Sequence, residues 1–360
     1  IGAGHVHRCL KLAEDLRYKK NKRIFFISRD LQGNFNHLIK KKKFKLILIK
    51  KNNLKNDLNF TKKICNRFKV ETLIVDNYWI NIEWEKKIKK YIKKLVVIDD
   101  FTKKKHFADI IINSLSNKNK KTLNLCGLEY VILPIAKNND KVRFIKKKYI
   151  VRIGTFFGSS DNNNITEKVL NIFCGNKFIN YKIISILGKN NKNKKKIYTT
   201  FNKYKNFHLA NYYPNMKKFF KKIDILVTSG GITSFEAIYN NLKCINIPSN
   251  FYQKKNSIFQ EKKKISKVFN YNKIIKKNGS TIFANCFKKV LNEDQLVENK
   301  LYLDEKGSKR ISEALIPSKF KDTLITKAKN MQDCIDLFKF FNEKTAIKNS
   351  FEQRKVKFID

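Results

Sequence analysis

Ile223-Asp224-Ile225-Leu226-Val227-Thr228-Ser229-Gly230-Gly231-Ile232-Thr233-Ser234-Phe235-Glu236-Ala237 reads as an apolar strand, a glycine turn and the opening of a helix. In open α/β sheets such a turn lies at the carboxyl end of a strand, where ligands bind, and the first N–H groups of the helix point at an anion. Gly230 and Gly231 with the hydroxyls of Thr233 and Ser234 suit a diphosphate, and Glu236, one turn in, is placed to accept ribose hydroxyls. A glutamate three residues after Thr233 is equally what a capping box gives. The Lys of a P-loop is absent from this turn.

Outward from that stretch the chain repeats the same rhythm of short apolar runs and amphipathic segments. Buried parallel strands read as continuous Ile/Val/Leu runs, and Arg23–Ser28, Phe44–Ile49, Thr72–Asp76, Lys94–Asp99 and Asp109–Asn113 do so in the first half. Tyr149–Thr155, Tyr181–Leu187, Phe207–Ala210, Ile223–Thr228 and Cys244–Ile247 do so in the second. The expectation is two successive α/β domains, 1–140 and 141–316, with a polar stretch at 137–148 between them. A segment of residues 317–360 follows that is too short to bury a core of its own.

The opening Ile1-Gly2-Ala3-Gly4-His5-Val6-His7-Arg8-Cys9 reads as another strand-to-helix glycine loop, with a helix over His5–Lys20. The strand that would feed it is not in the sequence, so the first domain is expected to lack its first strand. An imidazole at such a place can take a proton from water, which makes His5 a candidate base. Gly4 and Arg8 stand beside it. Asp76-Asn77-Tyr78 ends a strand and would face the same cleft, while an Asp capping the helix that starts near Asn81 is the plainer alternative. Asp99-Asp100 reads as a cap. Gly158-Ser159-Ser160-Asp161 is either a second glycine loop on the cleft or a turn.

Lys+Arg of 79 against Asp+Glu of 30 gives a formal charge of +49, the balance of a nucleic-acid or anionic-membrane binder. Lys, Asn, Ile, Phe and Tyr are inflated together, however, as A+T-rich codons would inflate them. The lysines fall wherever loops meet solvent, so no nucleic-acid or membrane partner is expected. The seven cysteines are odd in number and form no CxxC pair, which supports neither a zinc site nor a disulfide framework. With no apolar run of membrane-spanning length, the reading is a cytoplasmic enzyme that needs neither metal nor cofactor.

In order, these motifs resemble the UDP-sugar hydrolase family of pseudaminic acid biosynthesis, relatives of the peptidoglycan enzyme MurG. The pattern GxGHxxRCxxLA is met by Gly2 through Ala13, and Val75-Asp76-Asn77-Tyr78 and Val97-Ile98-Asp99-Asp100 match the VDxY and VIDD elements. Gly158-Ser159-Ser160-Asp161 is similar to GGSDP, Ser229–Glu236 to GGSTSWE, and Asp304–Ile311 to a closing DGKGAERI helix. Gln253 stands in for the Gln of an Asn-Gln pair. The resemblance implies a GT-B pair of Rossmann-type domains with a cleft between them. It also implies hydrolysis of a UDP-linked deoxy amino sugar, UDP-2,4-diacetamido-2,4,6-trideoxy-β-L-altropyranose. His5, Tyr78 and Asp76 would be catalytic; Gly4, Arg8, Gly158, Ser159, Gly230, Gly231, Thr233, Ser234, Glu236 and Gln253 would bind substrate. The alternatives are a GT-B glycosyltransferase and, from another class, a basic nucleic-acid-binding protein. From Met331 the tail resembles the start of a GNAT acetyltransferase, so a fusion to an enzyme of the same pathway is expected.

Overall fold

The computed structural model describes residues 3–20, 23–31, 33–49, 53–100, 104–116, 123–134, 150–211, 213, 215–293 and 303–315. Gly2, the polar stretch at 137–148 and the tail from Met331, expected to begin an acetyltransferase, lie outside them. In the first half α1 (Ala3–Lys20) precedes β1 (Phe25–Arg29), α2 (Asn36–Lys41), β2 (Lys45–Ile49) and α3 (Leu54–Phe68). Then come β3 (Thr72–Val75), α4 (Ile82–Lys89), β4 (Lys94–Ile98), β5 (Ile110–Asn113) and β6 (Leu123–Cys126). The second half runs β7 (Arg152–Phe156), α5 (Ile165–Phe173), β8 (Lys182–Ile186), α6 (Lys194–Phe201), β9 (Phe207–Ala210) and α7 (Met216–Phe220). It continues with β10 (Ile225–Thr228), α8 (Ile232–Tyr239), β11 (Lys243–Asn246), α9 (Phe251–Lys262), β12 (Lys267–Val268), α10 (Tyr271–Ile274) and α11 (Gly279–Asn292). A helix at Gly307–Leu315 closes the described chain.

Every strand pair among the described residues is parallel, in keeping with the continuous apolar runs. The second half is one six-stranded sheet, ordered β12-β11-β10-β7-β8-β9. Both of its faces are covered. Ile225 and Val227 pack with Phe173 and Phe283 on one side, and Leu226 with Phe219 and Phe235 on the other. Each such buried side chain contributes about 1.5–3 kcal/mol. The order reverses between β7 and β10, so the loops after these neighbours diverge to opposite faces and leave a crevice at their carboxyl ends. Thr228 Oγ1 donates to the Phe156 carbonyl at 2.6 Å and ties the two strand ends together there.

In the first half the strands form two sheets, β1-β2 and β3-β4-β5-β6. A doubly wound sheet places the strand that feeds its first helix between such pairs. Among the described residues none joins β1 to β3. Leu95 and Val97 of β4 pack on Trp84 and Ile88 of α4, while Leu10 of α1 packs with Ile39 and Phe44 over the smaller sheet. The closing helix returns to the first half: Arg310 donates to the Glu129 carbonyl at 2.8 Å, and Ser308 donates to Asp15 of α1.

One sequence expectation is corrected at the start. Helix α1 already includes Ala3, so Gly4 lies in its first turn, with His5, rather than in a preceding loop. A Cβ on Gly4 would lie 3.3 Å from Ile232 Cγ2, so the first turns of α1 and α8 approach each other closely there.

Candidate active site

One cavity of about 1140 Å³ is lined by both halves of the fold, including His5 and Tyr78 from the first and Gly231 and Glu236 from the second. On the first side the chemistry hangs on Asp76, which follows β3. His5 and Arg8, one turn apart on α1, share a face. His5 Nδ1 lies 2.8 Å from Asp76 Oδ1. Arg8 donates from Nε to Asp76 Oδ2 at 2.7 Å and from Nη2 to Oδ1 at 2.5 Å, and Cys9 Sγ approaches Oδ2 at 3.3 Å. Burial alone would raise the Asp76 carboxyl. The Arg8 charge and hydrogen bonds, with His5, outweigh it and hold Asp76 well below the usual carboxylate range. Asp76 is therefore an anion that fixes an imidazole, leaving Nε2 as the ring's other nitrogen for chemistry. It does not cap α4; Asn81 does that, accepting from the Trp84 N–H.

Asp100 was expected to be a cap and instead completes this cluster. It accepts from Arg8 Nη1 at 2.9 Å and from the Tyr78 hydroxyl. Burial and then the Asp100 charge push the Tyr78 phenol well above its ordinary range, so Tyr78 is a hydrogen-bond donor and not a base. Its ring meets His5 edge-on at 4.9 Å and stacks on Tyr252 of α9 at 4.7 Å. Arg8 lines the cavity, but two carboxylates hold its guanidinium. There it neutralises and orients Asp76 and Asp100.

The neighbouring Asp99 turns away from the cavity. Its carboxylate lies 2.9 Å from His106 Nε2, and Glu85 of α4 lies 2.7 Å from Nδ1. Burial would lower this imidazole, but hydrogen bonds and charge from both carboxylates push it up to about 9. Lys104, in the same segment, donates to the Tyr78 carbonyl at 3.2 Å and to the Ile80 carbonyl at 2.5 Å. Residues 104–107 thus tie together the loops that carry Tyr78 and Asp100.

On the second side the first turn of α8 presents N–H groups of Gly231, Ile232 and Thr233 that have no intrahelical acceptor. Gly231 has open space where a Cβ would stand. Thr233 lines the cavity, as expected. Ser234 does not: it is fully buried, donates to the Gly231 carbonyl at 2.7 Å and accepts from Gln260 Nε2 at 2.8 Å. The hydroxyl follows the helix away from the turn, and its role is to hold the loop. Glu236 is 6% exposed, and burial pushes its carboxyl up to about 8. Among the described residues no side-chain partner meets that carboxyl.

Gly158 and Ser159 line the cavity after β7, while Asp161 caps α5 through the Ile165 and Thr166 N–H groups, each at 2.9 Å. Their loop rests on Gly188, after β8, where a Cβ would lie 2.2 Å from the Gly158 carbonyl and 2.3 Å from that of Ser159. Gln253 Oε1 accepts from the Ser249 N–H and hydroxyl, each at 2.9 Å, which leaves its amide as the group on the cavity. Sequence reasoning missed Asp100, Gly188, Tyr252 and Asn256. The first two were within reach, because both stand just past a strand's carboxyl end, the rule that selected Asp76.

Two Rossmann-like α/β halves around a shared cleft, the second wound as a six-stranded parallel sheet, define the GT-B fold. Residues 155–315 match the family model described as Glycosyltransferase family 28 C-terminal domain. An uncharacterized protein of Methanocaldococcus jannaschii is 30% identical over 272 residues, which are 71% of this chain and 54% of that protein. The chain therefore spans about half the length of the curated relative it matches. Among solved structures, Acinetobacter baumannii MurG superposes with a TM-score of 0.66 at 11% identity, over 87% of this chain and 96% of that one. Staphylococcus aureus MnaA, solved with UDP, gives 0.59 at 12% identity, over 87% and 94%. The calicheamicin glycosyltransferase CalG4 gives 0.60 at 8%, over 88% and 95%.

Proposed function

We propose that this protein acts on a nucleotide sugar and hydrolyses a UDP-linked deoxy amino sugar at its anomeric carbon. The observation that carries the reading is the His5–Asp76 pair standing in the same cavity as the N-terminus of α8 and the buried Glu236. In this mechanism His5 Nε2 takes a proton from water as the water oxygen bonds to the anomeric carbon from the face opposite UDP. The bond from that carbon to the diphosphate oxygen breaks, and its electron pair stays on UDP. Free N–H groups of α8 and the Thr233 hydroxyl stabilise the growing phosphate charge. Glu236 accepts the ribose hydroxyls. Asp76 holds the imidazole in the tautomer that can act and stabilises it once protonated, and Tyr78 with Gln253 lines the sugar pocket. General-base assistance from His5 contributes about 10²–10⁴-fold.

The product is an inverted free sugar and UDP, made in the cytoplasm without a metal or cofactor. Residues 1–140 would supply the base and 141–316 the nucleotide site, with the tail a fused acetyltransferase segment of the same pathway. The match to a glycosyltransferase domain favours a second reading, transfer to an acceptor in place of water. Incubation with the UDP-sugar alone separates the two. Release of UDP and free sugar without acceptor supports hydrolysis; UDP release that depends on an added acceptor overturns it.

A further inference from the structure

The turn between β10 and α8 is held from behind by α9. Gly230 has φ +78°, and a Cβ there would lie 2.0 Å from Ser257 Oγ, so helix α9 approaches as closely as a glycine allows. Asn256, beside Ser257, donates from Nδ2 to the Gly230 carbonyl at 2.5 Å. One turn further along α9, Gln260 donates to Ser234, whose hydroxyl holds the Gly231 carbonyl. Gln260 in turn accepts from Asn246 Nδ2 at 2.8 Å. Both ends of the turn are therefore fixed by one helix.

The orientation of one peptide follows. In a trans peptide the carbonyl of one residue and the N–H of the next point in opposite directions. A Gly230 carbonyl drawn onto Asn256 sends the Gly231 N–H to the other side. Among the described residues that N–H meets no acceptor, and the space beside Gly231 is open. The reverse orientation is cheap for two successive glycines. It would remove a donor and aim a carbonyl oxygen at any anion beside the turn.

We propose that Asn256 is a positioning residue that locks the Gly230–Gly231 peptide so that its N–H faces a phosphate oxygen of a nucleoside diphosphate. The proposal rests on the nucleotide reading above. The Asn256 side chain acts through the peptide and need not touch the nucleotide's base or sugar. Its signature is therefore a loss confined to the phosphates.

Calorimetric titration of the full chain with UDP and with uridine tests this, using Asn256→Ala and the near-isosteric Asn256→Asp, which cannot donate. The expected result is a roughly 10- to 100-fold loss of UDP affinity, the scale of a hydrogen bond to a charged group, with uridine affinity within about twofold of the unsubstituted protein. Equal losses for UDP and uridine, or no loss for either, in a variant that folds overturns the role of Asn256 while leaving the nucleotide site intact. Failure of the unsubstituted protein to bind UDP overturns the nucleotide reading itself.

Discussion

At the scale of single residues, Asp76 decides what its neighbours can do. It is 5% exposed in its side chain and meets His5, Arg8 and Cys9 at once. Asp76→Asn keeps the shape, removes the charge that stabilises a protonated His5 and leaves Arg8 with Asp100 alone. We expect kcat for UDP-sugar turnover to fall at least 100-fold with UDP affinity nearly unchanged, because the loss falls on the base and not on the nucleotide. His5→Asn should give the same pattern, and full turnover in that variant would remove the base from the mechanism. Glu236 offers a pH test. Its carboxyl is protonated below about 8 in the empty cleft, and accepting ribose hydroxyls would favour the ionised form. UDP binding should then release a proton, so affinity rises with pH up to about 8 and levels off above. Calorimetry in buffers of different ionisation enthalpy measures that proton; Glu236→Gln should abolish the effect.

At the scale of elements, much was readable because the physics is local. Ile225–Thr228 and Lys94–Ile98 are short, continuous apolar runs of the kind that buried parallel strands show. His5, Asp76 and Thr233 were selected because strand and helix ends in an open sheet face a cleft. What failed needed tertiary knowledge. Helix α9 carries mostly polar residues and lysines with a weak amphipathic pattern, so its part in holding the Gly230 turn is invisible without its neighbours. Strand β6, Leu-Asn-Leu-Cys, has no continuous apolar run to mark it. Asp100 and Ser234 exchanged expected roles, since nothing local says which way a side chain turns at a strand or helix end.

The segment 104–107 is a third such element. His106 is buried between Glu85 and Asp99, and its raised value near 9 gives stability that is full below the unfolded value of about 6.5 and lost as pH rises through about 9. His106→Gln should leave two buried carboxylates without their cation and cost about 3–5 kcal/mol in denaturant unfolding at neutral pH. The drop in stability between neutral pH and about pH 10 should then shrink, because the group that caused it is gone.

At the scale of the whole molecule the dominant quantity is charge. With 79 basic and 30 acidic side chains, even complete pairing would leave 49 cations without a partner. Surface pairs such as Lys42–Glu14 at 2.6 Å and Lys196–Glu167 at 2.8 Å weaken in salt, while the repulsion among the remaining cations is relieved by it. The second term is larger, so the melting temperature should rise between about 0.02 and 0.5 M salt. The same charge separates an enzyme from a nucleic-acid binder. A lysine coat spread over the surface binds DNA by counterion release, and that affinity should fall about 10³-fold or more between about 0.05 and 0.2 M salt, irrespective of sequence. UDP in the cleft would be held by oriented N–H groups and the buried Glu236 carboxyl rather than by surface cations, so its affinity should fall by less than about 10-fold over the same range. Parallel titrations with duplex DNA and UDP make the comparison. A UDP affinity as salt-sensitive as that of DNA would mean that the nucleotide is held by the charge of the surface and not by the turn at Gly230 and Gly231.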